Sequence, residues 1–166
     1  MSKMSWQPLV LTAATLAIAV TAQAAGVNGT LDGDAREWHV VTHSEGSTAN
    51  FSEIAPGMFS ITIQAHREPR YALEGTLSID FMVMNGQPMD ASVMYLPESS
   101  MMPHYGTEGE TANIQFETLE IEGDTARLKG NVETTLLYLA SISEGHDPDD
   151  TLDVAVEFDV EAIRAD

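Results

Sequence analysis

Beyond the first two dozen residues, apolar and polar positions alternate with a period of two along nearly the whole chain, the pattern of strands with one buried face. Phe59, Ile61, Ile63 and Ala65 alternate with Ser60, Thr62 and Gln64, and Leu77, Ile79, Phe81 and Val83 alternate with Ser78, Asp80, Met82 and Met84. Ile114 and Phe116 hold one parity, which then slips to Leu119 and Ile121, so a bulge is expected near Thr118. Leu128, Val132, Leu136 and Tyr138 mark one face of a long run from Thr125 to Ser141. Leu152, Val154, Val156, Phe158 and Val160 form the cleanest alternation, with Asp153, Glu157, Asp159 and Glu161 opposite them. Shorter runs occupy Trp38 to Thr42 and Ala91 to Leu96. No helical 3.6-residue repeat of useful length appears among them.

Turn chemistry agrees with this reading. Asn85-Gly86 sits directly between two strand-like runs, the strongest short-range hairpin signal, and Glu122-Gly123-Asp124 links the next two runs in the same way. Pro97 to Thr111 and Ser143 to Asp150 read as loops. Roughly seven or eight strands in one unit predict an all-β fold, a single antiparallel β-sandwich, with a flattened β-barrel as the alternative. The predicted core is Phe59, Ile61, Ile63, Leu77, Ile79, Phe81, Val83, Leu128, Val132, Leu136, Val154, Val156, Phe158 and Val160.

The N-terminus obeys a different rule. Lys3 precedes an apolar run of twelve residues, Leu9 to Val20, and Ala22-Gln23-Ala24 has the small-x-small form at which a signal peptide is cleaved. Such a run is too short to span a bilayer, which takes about 20 residues. The expectation is a signal peptide over 1–24 and a β-sandwich domain over 25–166, delivered to the periplasm or beyond it, with no stable membrane anchor after cleavage. The chain has no cysteine. It therefore has neither the disulfides common in small exported domains nor a thiol for a lipid anchor.

Charge narrows the partners. The whole chain carries −19, and since Lys3 is the only charged residue of the signal, the mature part carries −20. Nucleic acid and anionic membranes recruit basic surfaces, so neither is an expected partner. Cations and basic proteins are favoured instead.

Three sets of residues carry candidate chemistry. Six of the nine methionines lie between residues 82 and 102. If Asn85-Gly86 is a two-residue turn, Met82 faces Met89, and Met84 shares their side of the sheet, away from Leu77, Ile79, Phe81 and Val83. Met94 then pairs with Leu77 and belongs to the core. Met82, Met84 and Met89, with Met101, Met102 and His104 of the following loop, are candidates for an interaction surface toward an envelope protein, because methionine makes adaptable contacts. Thioether sulfur with imidazole also suits Cu(I), which makes copper binding a third function class behind ligand binding. Asp147, Asp149, Asp150 and Asp153 could supply oxygen ligands to Ca²⁺, although the glycine and glutamate spacing of an EF-hand loop is missing; apart from such an ion no cofactor is expected.

Leu31-Asp32-Gly33-Asp34-Ala35-Arg36-Glu37-Trp38 resembles the aspartate-glycine…glutamate-tryptophan opening of family 9 carbohydrate-binding modules. Over those eight residues the resemblance implies a β-sandwich and transfers no binding residues. Trp38, Tyr95 and Tyr105 are the aromatic candidates for a small ligand such as a sugar. No nucleophile elbow, metal-binding helix motif or phosphate loop occurs, so a binding or interaction module is expected and not an enzyme. N-terminal sequencing of the protein recovered from the periplasm should return Ala25. Recovery of Met1 in a membrane fraction would show an uncleaved anchor.

Overall fold

A computed structural model describes residues 26–43, 46–107 and 112–165, and the expected signal peptide lies outside them. The described residues are all-β, with twelve strands: β1 (Gly26–Leu31), β2 (Asp34–His39), β3 (Thr42–His43), β4 (Gly46–Ser47), β5 (Ala49–Ala55), β6 (Met58–Ala65), β7 (Thr76–Met84), β8 (Gln87–Leu96), β9 (His104–Gly106), β10 (Asn113–Glu122), β11 (Thr125–Leu139) and β12 (His146–Arg164). β3 and β4 form a small separate hairpin, and the other ten strands make one sheet.

That sheet folds into two runs, β10-β11-β12-β1-β2 and β9-β8-β7-β6-β5. The inner faces meet: Phe81 on β7 packs against Phe116 on β10 at 5.1 Å between ring centroids, and Phe116 packs edge-on against Phe158 on β12 at 5.6 Å. The runs are also joined by backbone at opposite ends of the β11–β12 hairpin. Leu137–Leu139 of β11 pair with β9, and Ile163 and Arg164 of β12 pair with β5 in the only parallel contact among the named strands. The sandwich is therefore sewn at two corners, which gives it the closure of a flattened barrel.

The alternation read from the sequence decides what is buried. Of the predicted core, every residue is buried except Phe59, which is half-buried and lies edge-on to Phe51 at 6.2 Å. The bulge expected near Thr118 falls between Phe116 and Thr118. It turns Glu117 toward Lys129, whose ammonium lies 2.6 Å away.

Three expectations need correction. Ser143 to Asp150 is not all loop, because β12 begins at His146; Tyr138 pairs with Asp147 and Leu137 with Thr151, so Pro148 to Asp150 bulge out of a continuous strand. Pro97 to Thr111 is interrupted by β9, which the apolar pattern of His104-Tyr105-Gly106 does not announce. Trp38 to Thr42 is not one strand: β2 ends at His39. β1 and β5 carry too few large apolar residues to stand out, although Val27, Leu31, Ala49 and Phe51 are buried.

Gly130 shows how tightly the first layer closes. A Cβ at this position would lie 2.2 Å from the Gln115 carbonyl oxygen and 2.9 Å from Phe158 Cζ, so only glycine lets the Phe158 ring and β10 approach together. Phe158→Ala should lower the unfolding free energy by about 3–5 kcal/mol in a denaturant titration. Gly130→Ala should also destabilise, because the obstacle is backbone. A loss below about 1 kcal/mol for Phe158→Ala would show that this ring is not part of the core.

Candidate functional site

The Asn85-Gly86 turn organises the methionines. Both residues take positive φ, 52° and 78°, as the type I′ turn requires. Met82 consequently faces Met89, and Met84 faces Gln87. On the other side of β7, Met58 faces Met84. Met58, Met82, Met84 and Met89 thus make one contiguous patch on the outer face of β6, β7 and β8. Met84 is 41 % exposed and the others are half-buried. Asp80 shares this face, its carboxylate accepting from Thr62 Oγ1 at 2.6 Å and Ser78 Oγ at 2.8 Å.

Met94 does not go to the core. Asp90, at φ 49°, begins a bulge in β8, so that Asp80 pairs with Ser92 whereas Met82 pairs with Met89. The extra residue shifts the register by one. Met94 then faces Ser78 on the outer side, and Tyr95 takes the inner position opposite Leu77.

The six interaction candidates separate into two groups. Tyr95 pairs with Tyr105 at the far end of β8, which puts His104 roughly 20 Å along the strand from Met89. His104 is nearly buried, and its Nδ1 donates to the Met101 carbonyl at 3.0 Å. Met101 is exposed and Met102 half-buried in the approach to β9. The copper set of Met82, Met84 and Met89 with Met101, Met102 and His104 is therefore not assembled around one point.

The aromatic candidates also divide. Trp38 is 2 % exposed and its Nε1 donates to the Gly75 carbonyl at 3.0 Å; it anchors the core and offers no face to a ligand. Tyr95 and Tyr105 are half-buried against the core. Tyr105 packs on Tyr138 at 5.2 Å and donates its hydroxyl to Asp150 at 3.0 Å. Burial, and then the Asp150 hydrogen bond, push the Tyr105 phenol up to about 12. Beside this pair, Tyr138, Glu144, His146 and Asp147 line a hollow of about 380 Å³.

The proposed calcium ligands do not converge. Asp147 accepts from the Asp149 backbone N–H at 2.9 Å, and Asp150 is taken by Tyr105. Asp153 accepts from Thr135 Oγ1 at 2.6 Å, while its backbone N–H donates to Asp32 at 2.9 Å. Among the described residues no three His, Asp or Glu side chains are grouped to hold a metal ion.

Sequence reasoning missed a depression on the opposite layer. The outer face of β1, β12, β11 and β10 holds a hollow of about 540 Å³, lined by Asn28, Asn113, Gln115, Asn131, Glu133 and Glu157. The register builds it in rows: Asn28 faces Glu157, Glu157 faces Asn131, and Asn131 faces Gln115. In the next row Ala155 lies between Thr30 and Glu133, and Glu133 faces Asn113. A second hollow of about 210 Å³ continues the trough toward Lys129, which the Glu117 hydrogen bond holds above the usual ammonium range. The available signal was the placing of asparagines at outward strand positions, where they are disfavoured.

No protein-family model, curated protein or solved structure matches this chain, so the likeness to family 9 carbohydrate-binding modules stays confined to the β1–β2 hairpin region.

Removing the Asp150 charge should release the Tyr105 phenol. A tyrosinate absorbance titration of Asp150→Asn should show one tyrosine moving down from about 12 toward 10. Because the folded value lies above the unfolded one, this hydroxyl stabilises the fold below about pH 10 and ceases to do so as the pH rises through about 12. An unchanged titration would show that Asp150 does not perturb Tyr105.

Proposed function

We propose that the protein is an exported, non-catalytic interaction module of the cell envelope, and that the patch of Met58, Met82, Met84 and Met89 is its docking surface. One observation carries this reading. The core behind the patch is complete, with Ile61, Phe81 and Val83 each 2 % exposed or less. Four methionines nevertheless stand contiguously on the opposite side of the same strands. Sulfur side chains that fill no core space and meet solvent suit an adaptable apolar contact.

Charge supports a basic partner. The patch adjoins Asp80 on β7 and the exposed Asp90, next to Met89 on β8, in a chain of net charge −19. The surface fits an envelope protein presenting apolar side chains flanked by lysine or arginine. Acid groups steer such a partner, and the methionines supply the contact area. The signal-like N-terminus supports an encounter in the periplasm or outside the cell.

Titration with an amphipathic leucine–lysine peptide tests this. The protein should bind it, and Met82→Lys with Met89→Lys should weaken binding by about tenfold or more while circular dichroism stays unchanged. A leucine–glutamate peptide should not bind. Equal binding by the variant, or unfolding of the variant, would overturn the docking surface. A self-association abolished in sedimentation by the same pair would instead make a second copy the occupant.

A further inference from the structure

A second, chemically different site lies on the opposite layer. We propose that the trough across β1, β12, β11 and β10 binds a neutral, hydroxyl-rich ligand, a short saccharide chain. This goes beyond the methionine docking surface and does not depend on it.

The residues that build the trough are costly where they stand. Asparagine is disfavoured in strands because its side chain competes for backbone hydrogen bonds. Yet three of the five asparagines of the chain, Asn28, Asn113 and Asn131, lie on strands facing this one hollow. Together with Gln115 they present four carboxamides, and no hydrogen bond joins any of these side chains to another described residue. They do no structural work that would explain their presence. The hollow itself comes from Ala155. Along the outer face of β12 the residues run Asp153, Ala155, Glu157, Asp159 and Glu161, so the single small side chain opens a gap in an otherwise acidic ridge.

The ligand class follows from counting donors and acceptors. Each carboxamide offers two N–H donors and one acceptor, and each carboxylate offers acceptors only. An anion is repelled by Glu133 and Glu157. A bare cation satisfies those carboxylates but leaves the amide N–H groups without acceptors. An apolar group leaves every polar atom of the site unmet. Hydroxyl groups both donate and accept, and vicinal hydroxyls present the paired donor and acceptor that a carboxamide matches. The row Asn28, Glu157, Asn131, Gln115 crosses four strands, about 14 Å at the usual strand spacing. That is the reach of a short oligosaccharide. No aromatic side chain lines the hollow. Affinity therefore comes from hydrogen bonds, and it is modest.

Calorimetric titration with maltotriose, cellotriose, mannotriose and tri-N-acetylchitotriose, followed in parallel by the side-chain amide NMR signals of Asn28, Asn131 and Gln115, tests the proposal. At least one trisaccharide should bind and move those signals. Asn131→Ala with Gln115→Ala should weaken it by about tenfold or more. Ala155→Phe, which fills the hollow and removes no hydrogen-bonding group, should abolish it. Met82→Lys with Met89→Lys should leave it unchanged, which separates this site from the docking surface. Failure of all four sugars to move the amide signals would overturn the proposal. So would a sugar affinity indifferent to Ala155→Phe, or a response of the amides to trilysine or CaCl₂ alone.

Discussion

Everything in this fold leans on the register between β11 and β12. Fifteen consecutive residues of β11 have partners in β12, from Thr125 opposite Ile163 to Leu139 opposite His146. No other pair among the described strands is as long. The remaining strands of both layers attach to it: β10 and β9 to β11, β1 and β5 to β12. A slip of one residue would turn Val154, Val156, Phe158 and Val160 out to water and bring Glu157 and Asp159 in. Burying unpaired carboxylates costs far more than a strand pair returns. The alternation in these two strands therefore protects the register, and the register protects the corners that join the layers.

The same alternation gives the molecule two unlike outer faces. On β6, β7 and β8 the outward positions carry methionines around a hydroxyl-bound Asp80. On β10, β11, β12 and β1 they carry carboxamides and carboxylates. The few basic residues do little to balance the acids. Lys129 pairs with Glu117, and Arg164 lies 3.3 Å from Asp124 and 3.9 Å from Glu53, exposed pairs worth about 0–1 kcal/mol each. Arg164 also places its guanidinium 5.0 Å above the Phe51 ring, next to the only parallel strand contact among the described residues. Most of the negative charge stays uncompensated and faces outward.

The candidate sites were legible to different degrees. The pairing of Met82 with Met89 followed from a turn of two residues, because a type I′ turn leaves no freedom in how its strands meet. Met58 joined the patch only when β6 was placed beside β7. Met94 went the other way, since a one-residue bulge at Asp90 reverses the parity of everything after it. The bulge near Thr118 was visible because the apolar positions on both sides of it are large. The bulge at Asp90 was hidden because Met89, Ala91 and Met94 read equally well in either register. Trp38 could have stood on a surface or in the core by its own sequence, and the Gly75 carbonyl that accepts its N–H decides for the core.

By itself, the sequence determined the class of fold, the positions of the long strands and the side of each that turns inward. Those properties depend on residues two apart along one segment, and water reads that periodicity wherever the segment lies. The tertiary structure alone decided which strands became neighbours. Asn28 and Gln115 belong to the same row because β1 and β10 flank the β11–β12 pair, and no local pattern in either segment encodes the other. The closure of the two layers through β9 and β5 has the same origin. It rests on three residues at one corner and two at the other, contacts too short to leave a periodic mark in the chain.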